Sequence, residues 1–151
     1  MKITNTLIGL AALGLVACGG GSAAPIALAP GFALTQATGN AGGLRDAAGM
    51  GDGCLGNIPE APQHILNVSA ALPNLTIMVN GNSADTTLVV HLPDGTYRCN
   101  DDTDGLNPVV TGPVGAGNVE VFVGSYSHDS TAASYIIGFS PDATALPSSL
   151  H

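Results

Sequence analysis

Apolar and polar residues alternate along most of the chain from about Gln63 onward. A period of two is typical of strands buried on one face, because successive side chains of a strand point to opposite faces of the sheet. No segment after residue 17 has the sustained apolar stripe of an amphipathic helix. The pattern groups Ile65 with Val68, and it predicts these core-facing triplets: Leu75/Ile77/Val79, Leu88/Val90/Leu92, Val119/Val121/Val123 and Tyr135/Ile137/Phe139.

Turn-forming residues separate these runs. The sequence Pro-Asp-Gly at 93–95 predicts a hairpin from Leu88 to Cys99, because proline fixes φ and glycine tolerates positive φ. Asn-Gly-Asn at 80–82 marks a second turn. Roughly five to eight short strands at such spacing are typical of an all-β fold. We therefore predict an antiparallel β-sandwich of jelly-roll-like type.

The first seventeen residues have the features of an export signal. A short start with one positive charge, at Lys2, is followed by the apolar run LIGLAALGLVA, which is too short for a membrane span. The run ends in Leu-Val-Ala-Cys, which resembles the lipobox of bacterial lipoproteins, where the cysteine receives lipid. The alternative is an ordinary secretory signal with an incidental cysteine. The lipobox predicts lipidation of Cys18, and the absence of an aspartate after it predicts the outer membrane.

The rest of the chain is predicted in three parts. Residues 18–31 hold the lipidated cysteine and a flexible Gly/Ala/Pro tether with a reach of about 20 Å. Residues 32–141 form the sandwich, and residues 142–151 form a C-terminal tail. We expect a protein of the cell envelope whose lipid contacts the membrane, on the periplasmic or the outer surface.

Charge and composition exclude several functions. The chain has 11 acidic and 3 basic residues, a net charge of −8 and no tryptophan, so nucleic acid is not an expected partner. Its histidines, at 64, 91, 128 and 151, are scattered, and no motif of a known catalytic class accompanies them. An enzyme would need His91 or His128 beside a serine and an aspartate. We predict that the protein is not an enzyme.

Two cysteines remain once Cys18 is assigned to lipid. Cys54 and Cys99 are predicted to form a disulfide, because exported proteins occupy oxidising compartments. Such a bond would stabilise the fold by roughly 3–4 kcal/mol. Two free buried thiols are the alternative. A metal role for them is disfavoured, since neither lies in a Cys-x-x-Cys pair or beside paired histidines.

The acidic segment CNDDTDG is the most suggestive candidate for a ligand site in the chain. An EF-hand alignment fails because the twelfth position, which requires glutamate, is Thr111. Two interpretations remain: a Ca²⁺ loop of another geometry, or a solvated turn in which Asx side chains accept hydrogen bonds from backbone amides. Asp85, at the entrance to a strand, would either bond its own turn or add a ligand.

Three stretches together resemble the bacterial pre-peptidase C-terminal (PPC) domain family: APQHILNV, LTIMVNGNSADTTLVVHLPDGTYRCNDDTDGLNPVV and GNVEVFVGSYS with ASYIIGFS. The order of the Asp-Thr-x-Leu strand, the Pro-Asp-Gly turn and the Asn-Asp-Asp group carries the resemblance, which covers about residues 35–139. ATGNAGG and GDGCLGNIP resemble a subset of the family whose two cysteines pair.

The resemblance implies a jelly-roll sandwich of the kind appended to secreted peptidases, some members of which bind calcium. Carried to this chain, the Ca²⁺ ligands would be Asp85, Asn100, Asp101, Asp102 and Asp104. No peptidase precedes the domain here, so we expect it to act alone or through a partner. Our leading hypothesis is a non-enzymatic lipoprotein that binds or scaffolds extracellular material, its partner an envelope protein or a polysaccharide. The alternatives are a purely structural lipoprotein packed against another envelope protein, and an accessory domain acting in trans with a secreted peptidase.

Overall fold

Strands make up most of the part of the chain that the computed structural model describes, residues 24–127 and 132–151. The signal region, Cys18 and His128 lie outside the described residues. Within them, no helix is long and apolar enough to cross a membrane. The elements are β1 Ile26–Leu28, β2 Thr35–Asn40, β3 Arg45–Asp46, β4 Asn57–Ile58, β5 His64–Val68, β6 Leu72–Asn80, β7 Thr86–His91, β8 Tyr97–Asn100, β9 Val109–Val114, β10 Gly117–Ser125, β11 Ser134–Ser140 and a 3-10 helix at Pro147–Ser149.

The strands form two sheets, and most connections pass from one sheet to the other. Sheet A is centred on β10, which pairs with β5 and β4 along one edge and with β7 along the other. β1, β3 and β8 extend it. Sheet B has the order β2-β11-β6-β9. All pairs are antiparallel except β1 with β5. The prediction of an all-β antiparallel sandwich is confirmed.

The core lies between the sheets and is lined by the faces that the alternation predicts. All four predicted triplets belong to one buried cluster, together with Leu28, Leu72, Val110 and Val114. Burying each such aliphatic side chain contributes about 1.5–3 kcal/mol, so these faces fix the register of both sheets. The hairpin of β7 and β8 is also confirmed, with His91 opposite Tyr97 and Leu88 opposite Asn100.

One predicted face is wrong. In β5 the side chains of His64, Leu66 and Val68 are buried, whereas Ile65 is half-exposed on the outer face. The cause is the pairing with β10, which sets Leu66 opposite Val119 and leaves Ile65 opposite Glu120. A strand of five residues carries too few apolar positions to show this register in the sequence.

A second, smaller core covers part of the outer face of sheet A. Val89 and Phe122 point away from the main core, yet both are buried. The segment around residues 47–58 lies over them and contributes Ala47, Cys54 and Ile58 to their cluster. This cover explains why outward positions of β7 and β10 are apolar.

The predicted tether is shorter than expected at its C-terminal end. Residues 26–28 form β1, which pairs in parallel with β5, and the Leu28 side chain is buried in the main core. The amide of Ser69 donates to the carbonyl of Leu28 at 3.0 Å. Three residues are too few for periodicity to indicate a strand, and only the neighbouring β5 edge defines it.

The residues after β11 lie on the outer face of sheet B. Leu150 is 2% exposed, and Pro147 is buried. A Cβ placed on Gly138 would lie 2.7 Å from Leu150 Cδ2 and 2.8 Å from Met78 Cε, so these two side chains meet over that glycine. The predicted C-terminal tail therefore covers Met78, an outward residue of β6.

Candidate functional site

The acidic residues that the sequence singles out lie in two loops at one end of the sandwich. Asp85 ends the loop between β6 and β7, and the Asp101–Asp104 segment follows β8. β7 and β8 are antiparallel neighbours, so the start of one lies beside the end of the other. The Gly81 amide donates to Asn107 Oδ1 at 2.8 Å, and the Thr86 amide donates to the Leu106 carbonyl at 3.4 Å. These bonds hold the two loops together.

Asp85 has an unpaired carboxylate oxygen. Its Oδ1 is buried and has no hydrogen-bond partner, and the same is true of Thr86 Oγ1. Burial raises the pKa of the Asp85 carboxyl above its ordinary value, and the negative charges of Asp102 and Asp101 raise it further. Removal of an anion from water without a partner is unfavourable, so this arrangement favours either a proton or a cation at Asp85.

Asp85 and Thr86 line a cavity of about 230 Å³. Ser125 and Ser127 contribute to its polar wall, while Ala41, Ala84 and Ala133 contribute apolar surface. Carboxylate, hydroxyl and backbone oxygens are the ligands that Ca²⁺ prefers. The donor chemistry at Asp85 therefore fits a hard cation.

The side chains of Asn100 and Asp104 already accept hydrogen bonds from other parts of the protein. Asn100 Oδ1 accepts hydrogen bonds from Thr103 Oγ1 at 2.8 Å and from the Val109 amide at 2.9 Å. Asp104 Oδ2 accepts from the Ser148 amide at 3.1 Å. The Asn100 contacts match the interpretation as a hydrogen-bonded turn, whereas the Asp104 contact joins the loop to the C-terminal residues. They leave Asp85, Asp101 and Asp102 as the part of the predicted ligand set with mutual electrostatic contact.

The five predicted ligands do not converge on one point. In residues 24–127 and 132–151, no three side chains among His, Cys, Asp and Glu are grouped closely enough to hold one metal ion. A cation at Asp85 would need additional oxygens from hydroxyls, backbone carbonyls or water. Calcium binding thus stays a prediction, centred on Asp85.

The predicted disulfide is confirmed. Cys54 and Cys99 are bonded, with their Cα atoms 4.9 Å apart and a sequence separation of 45. The bond joins β8 to the segment that covers Val89 and Phe122. Its place in the fold is structural, because it secures the outer cover of sheet A.

Two histidines have partners that sequence reasoning missed. His64 Nε2 and the Tyr135 hydroxyl are hydrogen-bonded at 2.8 Å in the interior, and burial lowers the pKa of His64 and raises that of Tyr135. His91 Nδ1 lies 2.9 Å from Glu120 Oε2, and the His91 ring stacks on Tyr97. The sequence contains no signal for the first pair, because the register of the five-residue β5 does not show in it. The signal for the second pair is the outward position of His91 and Glu120 in their strands.

Comparison with known proteins shows a similarity of fold to a solved structure. No model of a known family matches the chain, and no curated protein matches it. Among solved structures, the fold is similar to the pre-peptidase C-terminal domain of a collagenase from Bacillus anthracis, with a TM-score of 0.48 and 18% identity. The match covers 77% of this chain and 94% of that domain. That domain bears the name of the family that the sequence resembles. At this identity and score, no residue role or activity is carried from it to this chain.

Proposed function

We propose that this protein is a non-enzymatic, lipid-anchored β-sandwich of the cell envelope that binds or scaffolds extracellular material and holds Ca²⁺ at Asp85. The observation that supports calcium binding is the buried Oδ1 of Asp85, which has no hydrogen-bond partner; Asp85 lines a cavity whose wall includes hydroxyl groups as well as alanines. Asp101 and Asp102 supply further negative charge next to it. A cation there would give Asp85 its missing partner and relieve the repulsion among the three carboxylates.

Ca²⁺ binding at the proposed site should be weak, as it is in extracellular modules. Modules of that type bind Ca²⁺ with a dissociation constant of about 0.1–1 mM. Binding to the folded state alone would then stabilise it by roughly 1.4–2.7 kcal/mol at about 10 mM Ca²⁺. Stabilisation of that size moves a thermal midpoint by several degrees, and so a thermal melt is a sufficient assay.

The test compares melts in Ca²⁺ and in chelator for the unaltered chain and three variants. Asp85→Asn and Asp102→Ala should abolish the Ca²⁺-dependent rise in the midpoint. Asp94→Asn is the matched control, because Asp94 is an exposed carboxylate in the turn at the opposite end of the β7–β8 hairpin, and it should retain the rise. Equal midpoints of the unaltered chain in chelator and in 10 mM Ca²⁺ would remove calcium from the proposal.

The proposal of a lipid anchor rests on the lipobox at Cys18. Because β1 begins at Ile26, only residues 18–25 separate the lipid from the folded body. Eight residues span at most about 29 Å in any conformation, so the sandwich would be held close to the membrane surface. Labelled fatty acid should be incorporated into the chain in cells and should be absent from Cys18→Ser, which should move to the soluble fraction. Equal membrane retention of both chains would contradict the anchor.

Capture of partners tests the proposed binding role. The lipid-bearing chain, purified from detergent-solubilised envelopes, should retain a polysaccharide or an envelope protein, and the retained material should be identified with and without chelator. Retention of only a secreted peptidase would favour the accessory role in trans. Capture of nothing above the level of a denatured control would contradict a binding role.

A further inference from the structure

Part of the outer face of sheet A is not covered by the segment around residues 47–58. Three side chains form a row at the border of that cover, because Tyr97 of β8, which packs partly against the smaller core, is opposite His91 of β7, and His91 is opposite Glu120 of β10. His91 and Glu120 side chains are 32% and 40% exposed, and Tyr97 is half-exposed. Neighbouring strands therefore present a ring pair and a carboxylate side by side to solvent.

The two rings are held in a fixed arrangement. The His91 and Tyr97 ring centroids are 4.5 Å apart, and the ring planes differ by 16°. His91 Nδ1 lies 2.9 Å from Glu120 Oε2, so the carboxylate fixes the imidazole from its other side. Rings ordered before a ligand arrives lose little entropy on binding, which favours recognition of a weakly bound molecule.

A depression of about 380 Å³ lies against His91 and Glu120 of this row. His91, Glu120 and Asn118 provide its polar groups, and Pro93 and Ala116 provide apolar surface. Asn118 Oδ1 accepts a long hydrogen bond, 3.4 Å, from Asn67, which leaves the Asn118 amide nitrogen available as a donor. A carboxylate, an amide, an imidazole and apolar carbons thus border one open hollow.

This combination matches the chemistry of a sugar ring. A pyranose has C–H groups that pack on apolar or aromatic surface and hydroxyls that both donate and accept hydrogen bonds. Carboxylate and amide side chains meet both needs of the hydroxyls. The negative charge of Glu120, in a chain of net charge −8, disfavours an anionic ligand.

We propose that this hollow binds neutral pyranose units of a polysaccharide, with Glu120 and Asn118 on the hydroxyls and the His91 ring, held from behind by Tyr97, beside the sugar ring. The inference deepens the proposed binding function and is independent of the calcium site. The few aromatic residues in the chain, 4% of the total, do not form a broad platform. The site therefore accommodates one or two sugar units rather than a long run.

The test titrates the full chain in detergent with cellohexaose, maltohexaose and chitohexaose by calorimetry, with a galacturonic acid hexamer as the anionic comparison. At least one neutral hexasaccharide should bind with a millimolar or lower dissociation constant. Glu120→Gln and His91→Ala should weaken this binding by about tenfold or more, since each removes a charged or ring contact. Glu60→Gln, at an exposed glutamate outside this face, is the matched control and should bind as the unaltered chain does.

Thermal melts of the variants exclude misfolding as the cause of lost binding. The proposal is overturned if no neutral hexasaccharide binds at 20 mM, or if the Glu120 and His91 variants bind as well as the Glu60 control. Binding of the uronic acid hexamer through the same residues would overturn the neutral assignment. If envelope material is captured equally by the Glu120→Gln chain, the general binding role stands and this site does not.

Discussion

The hydrogen bond between His64 and Tyr135 joins the two sheets across the core. His64 belongs to β5 of sheet A, and Tyr135 belongs to β11 of sheet B. The residues are 5% and 1% exposed, and Nε2 and the hydroxyl oxygen are 2.8 Å apart. We predict that Tyr135→Phe destabilises the fold, because it removes one partner and leaves the imidazole nitrogen unpaired in the interior.

The expected loss is set by the desolvation of one neutral polar group. An unsatisfied buried donor or acceptor costs about 1–3 kcal/mol, whereas removal of both partners in an apolar setting is close to neutral. His64→Leu alone should therefore cost a similar amount, by leaving the Tyr135 hydroxyl unpaired. The double variant should cost less than the sum of the two single changes.

Urea unfolding at pH 7.5 measures these differences. At a slope of about 2 kcal/mol per molar urea, a loss of 2 kcal/mol lowers the midpoint by about 1 M. Tyr97→Phe is a control on another tyrosine, one that lies half-exposed at the surface, and it should have a small effect. If Tyr135→Phe shifts the midpoint no more than Tyr97→Phe does, or if the single changes at 64 and 135 are additive, the buried hydrogen bond does not carry the stability assigned to it.

The same pair predicts a dependence on pH. Burial lowers the pKa of His64 below 6.5, so the folded state prefers the neutral imidazole. Its contribution is complete above pH 6.5 and is lost as the pH falls toward the lower folded-state pKa, with a slope of at most about 1.4 kcal/mol per pH unit. Between pH 6.5 and 5.5 the unfolding free energy of the unaltered chain should fall relative to that of the double variant, which lacks the imidazole. A constant difference over that range would contradict this assignment.

Three further predictions concern the cover of the sandwich and the acidic end. Replacement of Cys54 and Cys99 by alanine should lower the unfolding free energy by about 4 kcal/mol, from the closed loop of 45 residues, as measured by denaturant titration. Leu150→Ala should cost about 2–5 kcal/mol in the same assay, since Leu150 is 2% exposed, whereas Leu146→Ala, at a residue 44% exposed, should cost much less. In chelator, Asp85→Asn should raise the thermal midpoint at pH 7 and lose that advantage as the pH falls through the raised pKa of Asp85, because protonation relieves the same repulsion in the unaltered chain.

The sequence predicts the main core well because long strands carry a strong signal. β6 and β10 each have nine residues, and three or more apolar positions of period two define their inner faces without ambiguity. The disulfide is predictable for a different reason, since an exported chain with two remaining cysteines offers one pairing. Both predictions depend on local or combinatorial information that the sequence contains.

The missed features depend on pairing between distant segments. β1 forms because it pairs with the edge of β5, and the C-terminal residues are held in place because Leu150 packs on Met78 and Gly138. The acidic end is intermediate. Proximity in sequence predicts that Asp101 and Asp102 lie together, but only the topology brings Asp85 to them. Topology likewise turns Asp104 toward Ser148.

Covered and uncovered faces together indicate where the molecule is free to bind. A two-sheet sandwich has two outer faces, and this chain uses its own segments to cover part of each: the disulfide-bonded segment over Val89 and Phe122, and the C-terminal residues over Met78. Each cover buries outward apolar side chains. His91 and Glu120 lie beyond these covers and are polar, so burial by the chain's own segments would gain little there, whereas Tyr97 packs partly against the smaller core. Contact with water or with a polar ligand therefore explains these polar side chains better than packing does. The hexasaccharide titrations decide between water and a ligand.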